Sequence, residues 1–143
     1  MPIQQTATTS FKVQLAQGVH NFGPTLPDTF KIALYTGLAT LDASTTTYVT
    51  ANEVPNGAGY TTGGKTLTVS TTPTSSGTIA YLSFADVEWD PATFTARAGL
   101  VYNASKANAS VCVLDFGSDK TAVTKFKIVF PSPTSASAIL RIS

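Results

Sequence analysis

The stretch ATFTARAGLVYNASKANASVCVLDFG, Ala92 to Gly117, reads as two long β-strands folded back on each other around a polar loop. Phe94, Ala96, Ala98, Leu100 and Tyr102 share one parity, which a strand places on one face. Thr93, Thr95, Arg97 and Asn103 fall on the other, the pattern of a half-solvated strand. The return strand, Ser110 to Phe116, is apolar on both parities. Cys112, Leu114 and Phe116 take one face, Val111 and Val113 the other, so a layer is expected on each side. Either a second layer of the same domain, such as an N-terminal helix, or another subunit would cover the two valines.

Working outward, the 143 residues suit one domain able to bury a core without staples. Only 12% of residues are charged, against roughly 25% in ordinary soluble domains. Ser and Thr fill the gap at roughly a quarter of the chain, and Thr favours strands. The net charge of +1 leaves no footprint for nucleic acid or an anionic membrane. A surface so poor in charge suits a protein packed against neighbours. Cys112 is the single cysteine, which excludes an internal disulfide and any multi-cysteine metal site. The segment MPIQQTATTS has no basic region and no apolar run, so no signal peptide is expected. No apolar run approaches a membrane span. Without a secretion signal, the glycosylation patterns at Asn103 and Asn108 read as chance.

One helix is expected, over residues 10–22. Thr9 or Ser10 would cap it, Phe11, Leu15, Val19 and Phe22 form its stripe, and Gly23-Pro24 stops it. From Thr29 onward the period is two. Phe30, Ile32 and Leu34 oppose Lys31 and Tyr35. Residues 38–59 read as ordered loop with a weak strand near Tyr48. Lys65 to Ser70 alternates with Leu67 and Val69 inward, Pro73 to Gly77 is a turn cluster, and Thr78 to Ala85 follows. Asp86 to Trp89 extends that strand or forms a short one. Thr124 to Phe130 and Ala138 to Ser143 complete the set. About seven or eight strands punctuated by turns predict a mainly β chain, a single domain over residues 1–143. Its architecture would be a jelly-roll-like antiparallel β-sandwich with one short N-terminal α-helix.

Several patterns invite a chemical reading. Gly59 to Thr66, GYTTGGKT, matches the phosphate-loop pattern G-x-x-x-x-G-K-T. That chemistry needs a buried strand before the loop and a helix after it. EVPNGA precedes it here and TLTVSTTPT follows, so a glycine-rich strand connection is expected instead, with Lys65 opening a strand. Asp86, Glu88 and Asp90 would share one face of an extended segment, but a strand spaces them roughly 7 Å apart, too far to converge on a cation. Glu53 and Glu88 are the only glutamates, and their separation is not set by sequence. His20, the sole histidine, falls near the end of the expected helix, where the imidazolium form is favoured. A strand Cys112 lacks an activating helix end, and no G-x-S-x-G elbow is present. Tyr35, Tyr48, Tyr60, Tyr81, Tyr102 and Trp89 could stack on a sugar, although such residues more often fill a core or rim. No catalytic, cofactor or metal site is assigned, and no enzyme activity is expected.

The blocks SFKVQLAQGVHNF, TFKIALYTG, GYTTGGKTLTV, FADVEWDPATFTARAGLVYN and VCVLDFGSDKTA resemble, in this order, a family of small virion proteins of tailed bacteriophages and prophages. TFKIALYT and LDFGSDKTA are the most distinctive. The resemblance spans nearly the whole chain and implies a cement, or decoration, protein on the heads of short-tailed phages. It also implies a jelly-roll-like fold and no catalytic motif. The partner it implies is the major capsid coat protein, while the low charge and Ser/Thr-rich surface lead to the expectation of a homo-oligomer, with no nucleic acid and no membrane as partner. The protein would be made in the host cytoplasm and end on the capsid surface. Val111, Val113, Phe11, Leu15 and Val19 are the interface candidates. The alternative is a tail or fibre component that binds a host surface glycan.

Overall fold

The computed structural model describes residues 3–142. In chain order it contains β1 (Thr6–Ala7), α1 (Thr9–Ala16), β2 (Phe30–Tyr35), β3 (Lys65–Leu67) and β4 (Val69–Ser76). There follow β5 (Ile79–Phe84), β6 (Val87–Trp89), β7 (Thr95–Asn103), β8 (Ala109–Thr121), β9 (Phe126–Ile128) and β10 (Leu140–Ile142). The expected mainly β, sandwich-like architecture with one short helix is present. A five-stranded sheet, ordered β1-β8-β7-β2-β3, stands beside a three-stranded sheet β10-β5-β4 and a two-stranded ribbon β6-β9. Every strand pair is antiparallel.

The main sheet is covered on both faces by the chain itself. Phe30, Ile32 and Leu34 of β2 join Leu82, Phe84, Trp89, Phe126 and Leu140 in the larger core, against the smaller sheets and α1. Ala33, Tyr35, Leu100 and Val113 form a second core with Ile3, Ala39 and Leu41, which the N-terminal segment and the loop after β2 provide. Two layers on one sheet explain why the strands show so few polar positions.

Strict alternation fails at two bulges, and the parity reading of β7 and β8 is corrected there. Val101 faces Cys112 while Tyr102 faces Ser110, so Val111 is an extra residue in β8. Such an insertion turns adjacent side chains to the same side. Val111 and Cys112 therefore both enter the larger core, and Val113 enters the other. Further along, Ala96 faces Lys120 and Ala98 faces Asp115, setting residues 116–119 opposite Arg97 alone. Phe94 and Ala96 accordingly lie in the larger core, while Ala98, Leu100 and Tyr102 lie in the second. Asn103, expected on a solvated face, is wholly buried.

The helix is shorter than expected, and its cap is Thr8 rather than Thr9 or Ser10. The Thr8 hydroxyl accepts the Phe11 amide. Gly18, at φ +73°, ends it six residues early. Its amide donates to the Leu15 carbonyl and the Val19 amide to that of Gln14, the paired bonds of a left-handed helix stop. Val19, His20 and Phe22 therefore lie beyond the helix. The Pro73–Gly77 turn cluster is also corrected, because Pro73 lies inside β4. That strand is a sheet edge, where a missing N–H has no partner to lose, and a register shift falls between Thr71 and Thr74. The segment expected as one strand over residues 65–70 changes sheets after Leu67, and the weak strand near Tyr48 reduces to a single bridge between Thr47 and Ala109.

Candidate functional site

The densest polar arrangement centres on Glu53. Where β3 ends, the loop after β2 takes its place beside β2, with Tyr35 bridged to Glu53 and the Val54 amide donating to the Leu34 carbonyl. The Glu53 carboxylate accepts from the Tyr60 hydroxyl at 2.6 Å, the Tyr48 hydroxyl at 2.7 Å and the Gly63 amide at 2.7 Å. Tyr60 in turn accepts the Leu34 amide, Tyr35 donates to the Val49 carbonyl, and Tyr102 donates to that of Gly63. Tyr48 stacks on Tyr102 with ring centroids 4.6 Å apart.

Burial is the largest influence on these tyrosines and pushes their hydroxyls above the ordinary range, with the Glu53 charge adding to it. Tyr102 is raised to about 12. All four therefore act as neutral donors at neutral pH. With both carboxylate oxygens engaged, the arrangement clamps the loop to the sheet and offers no open base or nucleophile. Four of the six aromatic residues considered for sugar stacking belong to this clamp or its packing. Trp89 is buried against Tyr60, Phe94 and Phe126.

A second network holds the turn after α1. The Asn103 side-chain amide donates to His20 Nδ1 at 3.0 Å and to the Asp28 carboxylate at 2.8 Å, while His20 Nε2 donates to Gln14 at 2.9 Å. His20 is thus the neutral Nε2–H tautomer. Burial is the main cause of its lowered pKa, partly offset by Asp28 and assisted by Lys106. The expected imidazolium at a helix end is corrected on both counts. His20 bonds Gln14 and Asn103, not Cys112. The thiol is buried and pushed up to about 12, so no Cys–His pair forms.

The GYTTGGKT stretch is a strand connection. A Cβ on Gly64 would lie 1.7 Å from the Ile32 carbonyl oxygen, so this glycine is needed for close backbone approach. Lys65 opens β3, donates to the Glu88 carbonyl and sits 5.7 Å from the Trp89 ring centroid. The element that follows the loop is the strand β3, which presents no helix N-terminus to a phosphate. Asp86 accepts the Phe130 amide and pairs with Lys127, and Glu88 pairs with Lys125, along the outside of the β6–β9 ribbon. Glu53 and Glu88 thus belong to separate environments. Among the described residues, no three His, Cys, Asp or Glu side chains are grouped to hold a metal, and no helix is long and apolar enough to cross a membrane.

Of the five interface candidates, Val111, Val113 and Phe11 are buried under the chain's own layers. Leu15 and Val19 are partly exposed. Phe11 and Leu15 line an apolar cleft of about 430 Å³ between α1 and the strands β5 and β10, with Lys12 and Arg141 beside it. A second groove, of about 500 Å³, lies between β9 and the distal half of β8. Neither the Glu53 clamp nor this groove was foreseen. A lone glutamate in a tyrosine-bearing loop was the signal for the first. The second depends on long-range placement that no local pattern carries. Compared with known proteins, the chain matches no family model, and no curated protein or solved structure is significantly similar to it.

Proposed function

We propose that this chain is a structural virion protein of a tailed bacteriophage, a cement protein that binds across coat-protein subunits on the head. The observation that carries this reading is the β4–β5 hairpin. Every residue from Thr72 to Thr78 is exposed, and none of them is charged. The strand β4 is paired to β5 alone, so its outer edge has no strand partner among the described residues. An exposed, hydroxyl-rich arm of this kind suits a wet interface in which water bridges hydroxyls and main-chain groups. The domain behind it is rigid enough to transmit load, because the main sheet is packed on both faces and Glu53 clamps its largest loop. Repetition over a lattice would make many modest contacts add up to firm attachment. The sequence resemblance supports the same role.

The test is reconstitution on heads prepared without the protein. Wild-type protein should restore occupancy, and the double variant Thr74→Glu/Ser76→Glu should bind at least tenfold more weakly while melting normally. Failure of wild type to bind heads would reject the cement role. The tail or fibre role would follow if the same preparation bound tails or host glycan. Equal binding by the double variant would remove the arm from the interface.

A further inference from the structure

We infer that the groove between β8 and β9 is a docking site for an extended, acidic segment of another protein chain, received by strand addition. Seven consecutive residues of the β9 region, Lys125 to Pro131, border the groove. A strand viewed on its face would contribute alternate residues, so an unbroken run means that β9 presents its edge. That edge is unpaired among the described residues, since β9 pairs only with β6. The opposite wall comes from β8 beyond Leu114, past the β1 pairing at Cys112 and Val113, where the Asp115 amide donates to the Gln5 side chain and the Gly117 amide to the Asp115 carboxylate. The free edge of β9 thus faces a β8 wall whose Asp115 and Gly117 amides are already satisfied, and an unpaired edge is a template for another strand.

Chemistry narrows the occupant. Phe116, Phe126, Ile128 and Phe130 supply apolar lining. Lys120, Lys125 and Lys127 line it as well, three of the nine Lys and Arg residues in the chain, and no carboxylate does. Lys125 and Lys127 are engaged only by exposed pairs, at 3.6 and 3.9 Å. Such contacts are weak and readily exchanged. Val129, 69% exposed, lies on its border, and Val123, 78% exposed and three residues before Phe126, is a further exposed apolar residue near it in sequence. The occupant that satisfies these groups alternates apolar residues with Asp or Glu along an extended backbone. If the capsid reading holds, that segment belongs to the coat protein, but the groove itself does not depend on it.

The experiment uses the isolated full chain and a fluorescein-labelled ten-residue peptide alternating valine and glutamate, with a valine–lysine peptide as counterpart. The acidic peptide should bind saturably, the basic one at least tenfold more weakly. Lys120→Glu/Lys127→Glu, two exposed positions, should lower acidic-peptide affinity at least tenfold without lowering the melting temperature. Alternate main-chain amides over residues 125–129 should gain hydrogen-exchange protection on binding. Equal binding of the two peptides, or charge-dependent binding without amide protection, would overturn the proposal. Because no phage particle is involved, either result leaves the head-binding test to be decided separately.

Discussion

At the residue scale, Glu53 is the acceptor that ties the loop after β2 to the main sheet. Glu53→Ala would strip the acceptor from the buried Tyr60 hydroxyl and the Gly63 amide together. Leaving such groups unpaired should cost about 3 kcal/mol, read from denaturant unfolding. A cost below about 1 kcal/mol would show that water replaces the carboxylate. The same site sets the response to base. Tyr35, Tyr48, Tyr60 and Tyr102 all have folded-state pKa values above the unfolded value. The folded chain therefore keeps phenol protons that the unfolded chain loses. Their contribution is fully present below about pH 10 and is lost as pH rises beyond it. Melting temperature should fall steeply above pH 10, with phenolate absorbance appearing together with unfolding. His20 works in the opposite direction, because its folded pKa is depressed. Its contribution is present above about pH 6.5 and is lost as pH falls below that value. Cys112, buried with its thiol raised to about 12, should resist thiol reagents in native protein and react at once on unfolding. Rapid labelling of native protein would contradict the packing of β8.

At the level of elements, local chemistry and long-range placement separate cleanly. The β2 pattern was legible because Phe30, Ile32 and Leu34 face one core while Tyr35 faces the other, with no bulge between them. The parities of β7 and β8 were not legible beyond one stretch: Val111 interrupts the ladder with no glycine or proline to mark it, and Gly117, at φ +82°, reads as the end of the return strand although β8 continues through it to Thr121. The helix was overextended because Phe11, Leu15, Val19 and Phe22 keep an apolar spacing across a real stop. Gly18 is that stop, and its left-handed φ outweighs the periodicity. Gly18→Val should therefore destabilise by about 1–2 kcal/mol, with Gly18→Asn costing less. Gly64→Ala should be far worse, since its Cβ would meet the Ile32 carbonyl, and soluble expression is the first readout. Lys65→Ala should cost only about 0.5–1 kcal/mol through its loss from the Trp89 ring. It should change no nucleotide binding, because wild type should show no saturable binding of ATP or GTP with magnesium. Leu114→Ala should cost roughly 2–5 kcal/mol, at the lower end because a groove adjoins the site.

Across the whole molecule, two exterior features contrast, the uncharged β4–β5 arm and the lysine-lined groove between β8 and β9. The chain carries nine Lys and Arg and eight Asp and Glu, so few contacts are available for salt to screen. Attachment through the arm should survive high salt, while any contribution from the groove should weaken within a Debye length of roughly 10 Å at 0.1 M. Washing particles in rising salt should release only part of the protein, and mild denaturant the rest. Stripped heads should then leak DNA. The most direct test is the ratio of this protein to coat protein in purified heads and, separately, in purified tails. A near-stoichiometric ratio in heads, with none in tails, is the predicted result. A few copies per particle confined to the tail would contradict the cement role.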